Sequence, residues 1–84
     1  MFLAKVYVTL KPTVNDPQGL TVKGGLHNLG FKQVTSVRVG KYIEVKLEGD
    51  DAEQAKQQVA QMCQKLLSNP VIEKYSFELE KISA

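Results

Sequence analysis

The chain has no tryptophan, one histidine and one cysteine, and each shortage removes a class of function. A single cysteine, Cys63, cannot form an internal disulfide. One histidine, His27, with no second ligand at a recognisable spacing argues against a zinc site. Neither sign of charge dominates: 11 basic residues face 9 acidic ones, for a net charge of +2. That is a mixed surface and not the footprint of a nucleic-acid-binding protein. No apolar run reaches transmembrane length. The start, Met1-Phe2-Leu3-Ala4-Lys5, alternates within a few residues, so no signal peptide is read there. An intracellular, cytoplasmic protein with no membrane partner is expected. Low-complexity segments and internal repeats are also missing, apart from a repeated strand–helix–strand order.

What is present is the pattern of one small domain, residues 1–84. A domain of this size buries only roughly 60–65% of its unfolded surface, which leaves a thin stability margin. Small domains compensate with disulfides, metals or oligomerisation. With the first two unsupported, association with another chain is favoured, and a well-packed monomer is the alternative.

The alternation over Phe2 to Leu10 is that of a strand, with Ala4, Val6, Val8 and Leu10 on one face and Leu3, Lys5, Tyr7 and Thr9 on the other. Lys11-Pro12 ends it, because proline cannot donate to a ladder. Asp16-Pro17 opens a helix, with aspartate as cap and proline at the first helical position. Val22, Gly25, Leu26 and Leu29 fall on one face of that helix and are expected inward. Gly30 is expected as a left-handed stop. Gly25 on the inner face would let the helix sit close to the sheet; Gly24 has no such role.

Val34 to Val39 and Tyr42 to Glu48 read as two strands around Gly40-Lys41, a Gly-X pair that fits a type II′ hairpin; a single bent strand is the alternative. Asp50 with Glu53 has the spacing of a capping box for the second helix. Ala52, Ala55, Val59, Met62, Cys63, Leu66 and Leu67 form its apolar stripe, and Asn69-Pro70 ends it. Val71 to Glu80 is the last strand, with Tyr75, Phe77 and Leu79 inward. The order β-α-β-β-α-β predicts an α+β, ferredoxin-like fold, a four-stranded antiparallel sheet with both helices on one face. The open face, with Tyr7 and Tyr42 among lysines and glutamates, is either a solvated sheet or an interface.

No catalytic set assembles. Cys63 lies in an apolar stripe, where a cysteine is an inert hydrophobe and lacks a base. Asp16, Asp50 and Asp51 are explained as helix starts. Glu44, Glu48, Glu73, Glu78 and Glu80 stand among strand lysines. There is no Walker-type glycine loop. Tyr7, Tyr42 and Gly40-Lys41 faintly echo an RNA-recognition sheet, but the other aromatics of that signature are missing and Glu44 puts negative charge on the face. An RNA-binding module is therefore the alternative reading, and a small-molecule regulatory module of the same topology is another.

Two turn motifs remain, Leu10-Lys11-Pro12 followed by Asp16-Pro17-Gln18-Gly19, and Leu66-Leu67 followed by Asn69-Pro70-Val71-Ile72-Glu73. Together with Leu29-Gly30-Phe31, Val37-Arg38-Val39-Gly40-Lys41, Met62-Cys63 and Tyr75, in this order and spacing, they resemble PurS, the small subunit of phosphoribosylformylglycinamidine synthase. The resemblance covers nearly the whole chain. Thr13 and Asn15 depart from a frequent glycine and leucine, and Gly25 from a frequent alanine. These departures bear on local helix stability.

The resemblance implies a non-catalytic subunit of a purine-biosynthesis amidotransferase, with no metal and no cofactor of its own. The implied partners are a glutaminase subunit, which releases ammonia from glutamine, and a synthetase subunit, which uses ATP and magnesium to place it on formylglycinamide ribonucleotide. This chain would bring the two together and assist ammonia transfer, as a homodimer or a tetramer of such pairs, with no nucleic acid involved. The residues expected to meet partners are Lys11, Asp16, Gln18 and Gly19; Arg38, Gly40 and Lys41; and Asn69 and Glu73. Asp16 and Gly40 already have local reasons as cap and turn. Lys11, Gln18 and Arg38 have none, so partner contact suits them best.

Overall fold

The computed structural model describes residues 1–83. Its centre is β1, Phe2–Leu10, which has a strand on each side. β2, Lys41–Leu47, and β3, Glu73–Lys81, both pair with it antiparallel, giving a three-stranded sheet in the order β2-β1-β3. The register obeys the alternation of all three strands. Val6 lies opposite Ile43 and Phe77, and Ala4 lies opposite Val45 and Leu79. A slip of one residue would turn every one of these side chains to solvent.

Among the described residues one helix packs on this apolar face. α2, Ala52–Met62, buries Ala55 and Val59 against it, and Cys63 follows. Ala4, Val6, Val8, Val59 and Cys63 form the buried cluster, with Ile43, Val45, Leu67 and the inward residues of β3 around it. Asp51, one residue later than the expected cap, accepts from the Glu53 and Gln54 N–H groups at 3.0 and 3.3 Å. The helix does not stop at once but widens into a π-helical turn, Cys63–Leu67. The Ser68 N–H and hydroxyl both donate to the Cys63 carbonyl, at 2.9 and 2.7 Å. The widened turn rotates the end of the apolar stripe, so that Leu66 is 83% exposed.

Four expectations are corrected. First, no four-stranded ferredoxin-like sheet forms, because residues 34–39 carry no strand. A type II′ turn needs a positive φ at its glycine, and only Gly30 and Gly49 have one. The chain therefore does not reverse at Gly40. It comes from beside Lys11, where Arg38 sits, past Thr9 and the Val8 carbonyl at Gly40 and on into β2, nearer to the bent-strand alternative. Second, α1, Pro17–Asn28, makes only marginal contact with the sheet. It lies beside residues 34–39 as an arm, and the molecule measures 50 × 28 × 15 Å. Third, Gly24 and Gly25 face open space, so neither permits a close approach. The last strand also starts at Glu73 and not at Val71, since the turn that begins at Asn69 extends to it. Gly30, with φ 101°, does stop the first helix.

Candidate subunit interface

The arm is attached through Asp16. Its backbone is extended, so its side chain can turn back over the first turn of α1. One carboxylate oxygen accepts from the Gly19 N–H at 2.9 Å and the other from the Val39 N–H at 2.8 Å. A single buried side chain thus caps the helix and ties it to a segment far along the chain. The Val39 N–H, then the Gly19 N–H, holds its pKa below the ordinary carboxylate value, against the opposing effect of burial.

Two glycines make the close approach possible. A Cβ on Gly19 would lie 2.1 Å from the Val37 carbonyl oxygen, and one on Gly40 would lie 2.6 Å from that of Val8. At the far end of the arm the His27 ring Nε2 is 2.8 Å from the Val34 carbonyl oxygen.

The second turn motif meets the first at the same end of the sheet. The Arg38 guanidinium donates to the Lys11 carbonyl at 2.9 Å, and the Lys11 N–H donates to the Ile72 carbonyl at 2.8 Å. The Asn69 side chain accepts from the Val71 N–H, while Glu73 accepts from the Asn69 N–H at 2.7 Å. The other Glu73 oxygen is 3.7 Å from the Lys41 ammonium. Asp16, Gln18, Gly40, Lys41 and Glu73 line one depression of about 200 Å³.

All nine residues expected at the interface therefore gather where β1 ends and β3 begins. Asp16, Gly19, Gly40, Lys41, Asn69 and Glu73 have work to do within the chain, and so does Arg38, for which no local role was expected. The side chains of Lys11 and Gln18 make no hydrogen bond among the described residues, and Arg38 is exposed. The structure adds Thr9, Ser36 and Lys74 to this end. Alternation alone puts Thr9 and Lys74 on outer faces; their adjacency depends on the pairing of β1 with β3.

A second feature is apolar. Val22 and Leu29, expected inward, are exposed, as are Leu20 and Phe31, and Leu29 reaches 74%. The open sheet face is more self-contained. The Tyr7 and Tyr42 rings lie 5.3 Å apart, the Tyr42 hydroxyl donates to Glu44 at 2.9 Å, and Lys5 pairs with Glu80 at 3.1 Å. Among the described residues no group of three or more His, Cys, Asp or Glu could hold a metal ion, and no helix is long and apolar enough to cross a membrane.

The arrangement presents an apolar stripe on α1 and, in Lys11 and Gln18, side chains that make no hydrogen bond among the described residues. Residues 3–81 match the family model PurS: phosphoribosylformylglycinamidine (FGAM) synthase. The chain belongs to the PurS family. It is 52% identical over 75 residues to the PurS subunit of Synechocystis sp., an alignment covering 89% of this chain and 75% of the relative. It is 45% identical over 84 residues to the Bacillus subtilis PurS subunit, covering 100% and 99%. The solved structure of B. subtilis PurS superposes with a TM-score of 0.87 at 46% identity, over 96% of this chain and 100% of that one. A chain from the structure of PurLQS from Thermotoga maritima superposes with a TM-score of 0.83 at 30% identity, over 95% and 99%. A PurS chain is a subunit of FGAM synthase and serves purine biosynthesis. These matches give the RNA-binding reading no support.

Proposed function

We propose that this chain is the assembly subunit of its FGAM synthase, supplying surface and no catalytic group. It bridges a glutaminase subunit and a synthetase subunit in the cytoplasm and helps ammonia pass between them. ATP and magnesium belong to the synthetase. The PurLQS assembly of the T. maritima relative supports such a complex. Ammonia needs the help because it is protonated in neutral water and then is no nucleophile; a closed interface keeps it reactive.

The observation that carries this reading is the exposed arm. The apolar stripe of α1 has no core to cover, and residues 34–39 belong to no strand, with few backbone hydrogen bonds among the described residues. A second copy fits best. Two such arms offer each other an apolar face and a strand edge, and the chain is short of buried surface by itself. The working unit is thus a homodimer, able to pair into tetramers.

Sedimentation of the glutaminase and synthetase subunits, mixed with and without this chain, tests the bridge. A single particle holding all three, absent when this chain is omitted, is expected. Stable association of the other two without it would contradict the reading.

A further inference from the structure

The arm is held to the rest of the molecule by little beyond its two covalent connections. It runs from Asp16 to Val39. Among the described residues one hydrogen bond links this stretch to the remainder, from the Arg38 guanidinium to the Lys11 carbonyl, and no ion pair does. The buried cluster and the hydrophobic residues packed around it include no member of the arm. α1 buries only Gly19, and Gly19 is pressed against Val37 inside the arm itself.

Within itself the arm is tied from base to tip. The Asp16 carboxylate joins its two ends through the Gly19 and Val39 N–H groups, at 2.9 and 2.8 Å. Gly19 meets Val37 one step further in. Near the tip His27 meets the Val34 carbonyl at 2.8 Å, and the Phe31 N–H donates to the Leu26 carbonyl at 3.0 Å. Neither half stands alone. An isolated helix as short as α1 is marginal in water, and Gly24 and Gly25 weaken it further. The returning residues 34–39 belong to no strand. The core is built differently: β1 is paired along its whole length with β3, and α2 buries Ala55 and Val59 on it. A stretch coupled closely to itself and weakly to the core opens before the core does.

We propose that residues 16–39 form one opening unit, which comes apart as a whole while the sheet and α2 stay folded. The Asp16 carboxylate is its latch, because it closes the loop at the base. The Arg38 bond to Lys11 is its clasp on the end of the sheet. This property belongs to the single chain and does not rest on the bridging role. Its consequence is that the backbone of residues 34–39 and both sides of α1 are released and refitted without unfolding the core, so the arm is the part of the molecule that adjusts on association.

Native-state hydrogen exchange, followed amide by amide by NMR at one protein concentration, tests this in wild type, Val45→Ala and Asp16→Ala. In wild type the amides of α1 and Val39 are expected to share one opening. It should be on the order of tenfold or more as frequent as that of β1 and α2, and less sensitive to urea because less surface is exposed. Val45→Ala, on β2 beside the buried cluster, should raise exchange in β1 and α2 on the order of tenfold. It should leave the arm unchanged, since the arm opens with the core intact. Asp16→Ala should raise exchange throughout the arm on the order of tenfold. A single opening shared by arm and core in wild type overturns the proposal without recourse to any variant; an arm locked by a second copy would give that result. An effect of Val45→Ala spread equally over arm and core overturns it as well. So do arm amides that open one by one at unrelated frequencies, or arm exchange that Asp16→Ala leaves unchanged.

Discussion

Asp16 holds the arm in place, and its two hydrogen bonds set a pH dependence. Its pKa in the folded chain lies below the ordinary value of 3.8. The stability it contributes is therefore complete above that ordinary value and is lost as pH falls through the lower, folded one. Asp16→Asn removes the charge and should flatten acid unfolding below about pH 4, while lowering the melting temperature near neutrality by roughly 5 °C. An acid limb as steep as that of wild type would show that the carboxylate does not control it. The cap was readable from Asp16-Pro17. The second bond, to Val39, was not, because nothing local links positions that far apart.

Gly19 and Gly40 show a similar limit. A glycine in sequence signals freedom, and the structure shows that what is used here is the missing side chain and not an unusual φ. Gly19→Ala has to move Val37, and a cost of about 1–3 kcal/mol is expected from the forced shift; chemical denaturation measures it. Cys63 was legible as structural, and its burial pushes the thiol pKa up. A thiol reagent should therefore modify it only at the rate of unfolding. Rapid labelling of the native chain would place it in a reactive setting.

At the scale of elements, strands were easier to read than their arrangement. The alternation in β1 and β3 fixes which side chains turn inward: Ala4, Val6 and Val8 of β1 and Tyr75, Phe77 and Leu79 of β3 are found packed on the core, while Leu10, also expected inward, lies at the strand's end beside a surface hollow. The helix starts were legible within one residue. The hairpin was not, since Gly40-Lys41 suits either a reverse turn or a close pass beside another strand, and only the partner decides. The first helix carries an inward pattern that its own chain leaves exposed, the face that the proposed dimer would cover. Val22→Glu, in the middle of that stripe, should weaken self-association at least on the order of tenfold while leaving circular dichroism unchanged. A dimer as tight as wild type would move the contact elsewhere.

At the scale of the whole molecule, the chain is thin for its length. Its shortest dimension is 15 Å, enough for a sheet and one helix and no more. The central cluster is built from alanine, valine and cysteine, with Phe2 the one aromatic among the buried hydrophobic residues described and Tyr75 and Phe77 only partly buried against it. Such a core leaves little margin, so extending the sheet or covering the arm through association is the economical route to stability. The same exposed surfaces suit a part whose work is to hold two enzymes together. The measurement that tests this most directly is amidine formation by the glutaminase and synthetase subunits, with and without this chain, using glutamine or an ammonium salt as the nitrogen source. The account predicts that the glutamine-driven reaction depends on this chain and the ammonium-driven reaction does not. Equal glutamine-driven rates with and without it would contradict the account.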